Sequence, residues 1–214
     1  MPNPAALSYP DIGRLFYFSL LPKPLFTVTH PSTILVGMID SLFWLRIEGK
    51  GCFQNSVDVK RVVKSMMESG IRNFVVDLER CPTMDSTFLG TLTGIALRLR
   101  ESGGGRLTVL NANARNQQLL SSLGLDHVLE VDVDGTAWSE ERVIAAAELG
   151  QCEGCESAPT KSDQAEHVLE AHKALTRANE ENASRFQDVI VFLEKELHRN
   201  KEEAAKPLPV LQKV

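Results

Sequence analysis

Between residues 33 and 131, short runs of branched and aromatic residues alternate with longer stretches whose apolar residues recur at helical spacing. No other feature constrains the fold as much. Residues 33–37 (TILVG) and 42–47 (LFWLRI) read as strands, the second ended by Gly49 and Gly51. Residues 56–68 read as a helix, because Val59, Val62, Val63, Met66 and Met67 fall at i, i+3, i+4, i+7 and i+8. Asn55 or Ser56 is placed to cap its start and Gly70 to close its end. A buried strand follows at 74–78 and a second helix at about 86–100, with Phe88, Leu89, Leu92, Ile95, Ala96 and Leu99 on one face. Residues 102–105 (SGGG) stop that helix after Arg98 and Arg100. A strand at 107–110, a helix at 115–123 and a short strand at 128–131 complete the series. Helices that join successive strands imply parallel neighbours in one sheet, and the first strand or two can pair antiparallel at an edge. The expected fold class is therefore α/β, a four- to five-stranded mixed sheet with helices over residues 32–133.

The flanks read differently. Residues 1–31 hold Pro2, Pro4, Pro10, Pro22, Pro24 and Pro31 around an aromatic cluster at Phe16, Tyr17 and Phe18, and prolines at that density oppose regular structure. Two expectations stand for this segment: a loose tail, or a misassigned start with initiation near Val28, Val36 or Met38. Residues 134–163 read as a polar linker with Gly135, Gly150, Gly154 and Pro159 and a short helix at 139–149. A long helical pattern returns at 164–200, carried by Val168, Leu169, His172, Leu175, Phe186, Val189, Ile190, Leu193 and Leu197, with a break at 179–182. Its apolar stripe is expected to pack on the sheet or to pair with itself as a hairpin. A homodimer or a partner helix is the functional alternative. Residues 201–214 read as a tail.

Composition narrows the function. Hydrophobic residues make up 43% and charged residues 24% of 214, the mix of a soluble globular chain with a core that forms without staples. A formal charge of -5 argues against a nucleic-acid partner. The four cysteines, Cys52, Cys81, Cys152 and Cys155, are too few and scattered for a disulfide scaffold, so free thiols in a reducing cytoplasm are expected. The most apolar stretch, residues 12–21, is too short to span a bilayer, holds Arg14 and lacks the flanks of a signal peptide. Direct membrane insertion is not expected.

The most informative segment is residues 75–92, VVDLERCPTMDSTFLGTL. A buried strand ends, a loop follows, and Asp85-Ser86 opens a helix. A serine there sits beside unpaired backbone N–H groups at the positive end of the helix dipole. A phosphate on it adds roughly −1.5 to −2 charges, which the helix end tolerates and a docked partner does not. The order of elements and the run Asp85-Ser86-Thr87-Phe88-Leu89-Gly90 resemble STAS domains of the anti-sigma factor antagonist family, over about residues 33–133. In that family an Asp-Ser pair is followed by small and leucine residues, and the serine is phosphorylated. The resemblance implies Ser86 as phosphoacceptor; Thr87 beside it is a candidate secondary acceptor, with padding of the first turn as the preferred reading. The resemblance also implies a partner surface formed by Asp85, Phe88 and the loop residues Lys50, Asn55 and Ser56. Family members often carry glycine where Phe88 stands, so the partner is expected to differ. The implied cycle has a serine kinase that is itself an anti-sigma factor, and a PP2C-type phosphatase that resets the module. The unphosphorylated form captures the kinase-like partner and frees a sigma factor. No cofactor is implied.

Other constellations carry less. Cys152, Cys155, His167 and His172 have the spacing C-x2-C-x11-H-x4-H, near a zinc pattern. The interval between them lacks an apolar core and holds Pro159, so an exposed dithiol is the preferred reading. None of His30, His127, His167, His172 and His198 is near a serine or cysteine in a recognised catalytic pattern, and Asp77 and Glu79 read as solvated or capping carboxylates. The chain is thus expected to be a binding module and not an enzyme. The alternatives are a STAS subunit of a lipid or anion transport complex, or a zinc- or redox-dependent interaction protein.

Overall fold

The computed structural model describes residues 32–152 and 160–204. The proline-rich segment with its start-codon question, Cys155 and residues 205–214 of the expected tail lie outside the described residues; residues 201–204 of that tail belong to the last helix.

The first two runs of branched residues form a β-hairpin, β1 (Thr33–Ile39) and β2 (Leu42–Glu48), in antiparallel register from Thr33 opposite Glu48 to Ile39 opposite Leu42. Then α1 (Phe53–Glu68), β3 (Asn73–Asp77), α2 (Ser86–Glu101), β4 (Arg106–Leu110), α3 (Ala114–Ser122) and β5 (Glu130–Val131) follow in sequence. Each of α1, α2 and α3 is a crossover, so β2, β3, β4 and β5 are parallel neighbours. The strand β2 is flanked by β1 and β3 and covered on both faces, which explains its nearly unbroken apolar run.

Residues expected in a linker extend the sheet. A helix α4 (Ser139–Glu148) leads into a two-residue strand β6 (Gly150–Gln151) that pairs antiparallel with β1. The sheet therefore has six strands in the order β5-β4-β3-β2-β1-β6, and β1 is not its edge.

The sheet divides the core. On one face Phe43, Leu45, Phe74, Val76 and Val109 meet Val59 and Val63 of α1 and Phe88, Leu92 and Leu99 of α2. On the other, Trp44, Val75 and Leu110 meet Ala145 of α4. Beyond α1 and α2 lies a further layer, the helices α5 (Lys161–Ala178) and α6 (Glu181–Ala204). They pair as a hairpin through Leu169, Leu193 and Leu197. The α5 helix packs mainly on α2, with Leu175 joining the main core. It starts with a capping box in which Thr160 and Asp163 bond each other's backbone N–H. Among the described residues, no helix is long and apolar enough to cross a membrane.

Two local expectations change. Helix α1 begins earlier than its apolar period suggested. Cys52 is its N-cap, and Asn55 and Ser56 lie inside the helix, where the Asn55 side chain accepts the Cys52 N–H at 2.8 Å. Asp77 is not solvated. It is fully buried and accepts from Arg46 Nε at 2.8 Å, Asn111 Nδ2 at 2.7 Å, the Glu79 N–H at 3.0 Å and Trp44 Nε1 at 3.4 Å. Arg142 of α4 reaches the same network through Asn111 Oδ1 and Asp132, tying α4 to the ends of β3 and β4.

A buried charge whose partner is removed has neither water nor a counter-ion. Asp77→Ala takes the buried partner from Arg46, leaving only the exposed Glu79 carboxylate 3.8 Å away, and is expected to lower stability by about 3–5 kcal/mol. Urea unfolding measures it, and a loss under about 1 kcal/mol contradicts the account.

Candidate functional site

The loop before α1 and the loop before α2 are stitched side by side. Gly51 N–H donates to Thr83 O at 3.0 Å, Asp85 N–H donates to Gly51 O at 2.8 Å, and Gly51 and Met84 form an isolated parallel bridge. The approach requires glycine: a Cβ at position 51 would lie 2.9 Å from both Met84 Cγ and Phe88 Cδ1. The Asp85 carboxylate then serves two helices. Its Oδ1 accepts the Phe88 N–H at 2.8 Å, the N-cap bond of α2, and its Oδ2 accepts the Phe53 N–H at 2.9 Å, the first N–H of α1. Asp85 itself is exposed.

Ser86, the first residue of α2, is half-buried. Its Oγ lies 3.1 Å from His172 Nε2 on α5. His172 Nδ1 lies 2.8 Å from the carbonyl oxygen of Val168. A carbonyl only accepts, so Nδ1 carries the proton. In the neutral ring Nε2 is then a lone pair, and the Ser86 hydroxyl donates to it. The ring also packs edge-on against Phe186, with centroids 5.1 Å apart.

His167, one and a half turns earlier on α5, has the opposite tautomer. Its Nε2 lies 2.7 Å from Ser56 Oγ and 3.4 Å from Thr91 Oγ1. Ser56 donates its own proton to Phe53 O, and Thr91 donates to Thr87 O. Neither hydroxyl has a proton left for the ring, so Nε2–H of His167 is the donor. Burial pushes the His167 pKa down to about 4, helped by Lys60; Glu170 and Asp85 pull weakly the other way.

Between these histidines α5 presses against α2. A Cβ on Gly90 would collide with the Ala171 carbonyl oxygen and lie 2.6 Å from its carbon, and Gly94 faces Ala174. Ion pairs flank the contact, Lys60 with Glu170 and Arg177 with Glu101.

The structure sorts the expected site residues. Lys50, Asp85 and Ser86 surround the start of α2 and are exposed or half-exposed. Asn55 and Ser56 are buried, at 2% and 0% exposure, so neither presents a free surface. Phe88 is fully buried in the main core against the sheet, which corrects the expectation that it faces a partner. Thr87 is buried as well, which removes it as a readily reached secondary acceptor. His167 and His172 turn toward α1 and α2, and Cys152 follows β6. Among the described residues no three His, Cys, Asp or Glu side chains gather in a metal-binding group; Cys155 lies outside them.

The sequence reading missed the pairing of both histidines with serines. The available signal was a second stripe on α2, Ser86, Gly90, Thr91 and Gly94, opposite the apolar one. Small residues at that spacing admit another helix at close range.

The model of the STAS domain family matches residues 34–136. No curated protein sequence matches the chain. Among solved structures, a putative anti-sigma factor antagonist from Thermotoga maritima is 22% identical, with a TM-score of 0.45, covering 50% of this chain and 92% of its own. SpoIIAA of Bacillus in its phosphorylated form is 18% identical, with a TM-score of 0.41, covering 53% and 98%. An anti-sigma factor antagonist from Mycobacterium paratuberculosis is 15% identical, with a TM-score of 0.42, covering 56% and 100%.

Acid should act on the α5 contact. Because the folded pKa of His167 lies below its ordinary value of 6.5, the unfolded chain binds the extra proton first. The stability that depends on neutral His167 is whole above pH 6.5 and is lost as pH falls toward 4. Thermal melts across that window should fall for the native chain and flatten for His167→Gln. Parallel pH profiles for the two proteins would contradict the assignment.

Proposed function

Residues 34–136 are a STAS domain, and from that premise we propose that the chain is a protein-binding module of the anti-sigma factor antagonist type, switched by phosphorylation of Ser86. The observation that carries this reading is the placement of Ser86: first residue of α2, half-exposed, behind an N-cap that does not depend on its hydroxyl.

The chemistry follows from that position. A kinase bringing a nucleoside triphosphate would present the γ-phosphorus to Ser86 Oγ. The O–P bond forms, the bond to the leaving diphosphate breaks, and the hydroxyl proton passes to a base. The new dianion sits at the positive end of α2, where helix N-termini favour anions. Asp85 keeps its bonds to Phe88 and Phe53, so the helices need not move apart. A partner lying over the same end would have to desolvate about −1.5 to −2 charges. Modification thus changes the surface and spares the core.

The partner is proposed to be a serine kinase acting as an anti-sigma factor, with a PP2C-type phosphatase as the resetting enzyme. The unphosphorylated module would hold the kinase and leave a sigma factor free. Lys50, Asp85 and Ser86 are the residues of this surface that a partner can reach.

Mapping phosphosites by mass spectrometry on chain purified from its own cells should find phosphate on Ser86 and none in a Ser86→Ala strain. The partner recovered with Ser86→Ala should be lost, by at least about tenfold, with Ser86→Glu. Equal recovery by both variants would sink the proposal.

A further inference from the structure

The α5–α6 hairpin covers the outer face of α1 and α2, and its inner side ends at Ser86. Along the α5 contact α2 presents the small residues Ser86, Gly90, Thr91 and Gly94, while most of its apolar side is spent on the sheet. The α5 helix fits those small residues backbone to side chain, with Ala171 over Gly90 and Ala174 over Gly94. Its two buried histidines reach across to the hydroxyls of Ser56, Thr91 and Ser86. We propose that the chain's own α5–α6 hairpin is the resident occupant of this face, and that a phosphate on Ser86 releases it. The proposal rests on the reading of Ser86 as phosphoacceptor and adds its internal consequence.

Three features make phosphate and hairpin incompatible. The Ser86 proton that now bonds His172 is gone from a phosphoester, so the hydrogen bond that ties α5 to the start of α2 is lost. A phosphoryl group inserted on Oγ must lengthen the 3.1 Å separation, and Phe186 packs against the His172 ring on the hairpin side. The Asp85 carboxylate already stands beside Ser86, so the added charge meets a like charge as it is desolvated. On the α2 side the helix end receives the phosphate favourably, so it is α5 that yields.

The hairpin is anchored where Leu175 enters the main core, Asn182 Nδ2 donates to Leu123 O at 2.9 Å and Arg185 donates to Ser122 O at 2.7 Å; nearer Ser86 its ties to the domain are mostly polar. Its ion pairs to the domain, Lys60–Glu170 and Arg177–Glu101, are partly or largely exposed and of the kind that contributes little. Contacts between units of one chain commonly resemble transient interfaces. When α5 leaves, the face shows a small-residue groove on α2 beside Lys60, Lys64 and Arg98.

The test uses the full chain with phosphoserine installed at position 86 during translation, compared with unmodified chain by amide hydrogen exchange. Residues 161–178 should exchange faster by about tenfold or more, while β3 and β4 stay protected. A second protein, Gly90→Ala, should free α5 without added charge, because its Cβ collides with the Ala171 backbone. Unchanged or slower exchange of α5 in the phosphoserine protein overturns the proposal, since it would mean that the hairpin accommodates the phosphate. Retained α5 protection in Gly90→Ala with an intact sheet overturns the close-fit argument. Should Gly90→Ala not fold, the phosphoserine protein alone decides. The reading of Ser86 stands or falls separately, on whether cells place phosphate there.

Discussion

One oxygen of the Asp85 carboxylate accepts the Phe88 N–H and the other accepts the Phe53 N–H, so a single exposed side chain fastens the starts of α2 and α1 together. The contact also fixes the loop at Gly51, whose missing side chain lets Met84 and Phe88 close over it. Everything functional here depends on that junction. It sets where the first turn of α2 points, and therefore where Ser86 stands relative to solvent and to α5. Because the cap belongs to Asp85, the serine hydroxyl is left over for other chemistry.

The second organising fact is that α2 is buried on two sides. A surface helix ordinarily hides one stripe. Here Leu89, Leu92 and Leu99 serve the sheet, while Thr87, Gly90 and Thr91 are buried as well. Small side chains gain little from burial by themselves, but they let two helix backbones approach closely. The polar groups at this contact are matched, hydroxyl to imidazole, with protons that can be assigned from the carbonyls around them. Such an interface gains its specificity from matched polar groups and close backbone approach, with Leu175 as its apolar anchor in the main core.

Much of the sheet could be read in the residues themselves. The alternation of runs such as 42–47 and 74–78 with helical periods gave the crossovers, and Asp85-Ser86 marked the start of α2. What was not legible depended on contacts between distant segments. The strand β6 is two residues long and takes its place only because β1 offers a free edge. Asp77 looks like any loop-side carboxylate until Arg46, 31 positions earlier, closes on it. Phe88 reads as a surface variation from the motif alone, yet the Gly51 contact draws it inward. The histidines of α5 suggested a metal by spacing, whereas folding places each against a serine, 111 and 86 positions away.

The central claim is that charge added at Ser86 alters a surface and spares the fold. Two-dimensional amide NMR on the chain before and after phosphorylation reads this directly. Signals from β2, β3 and β4 should hold their positions, while those of residues 85–91 and 167–175 move. Broad loss or displacement of the sheet signals would show that the helix end does not tolerate the phosphate, and the account would be wrong.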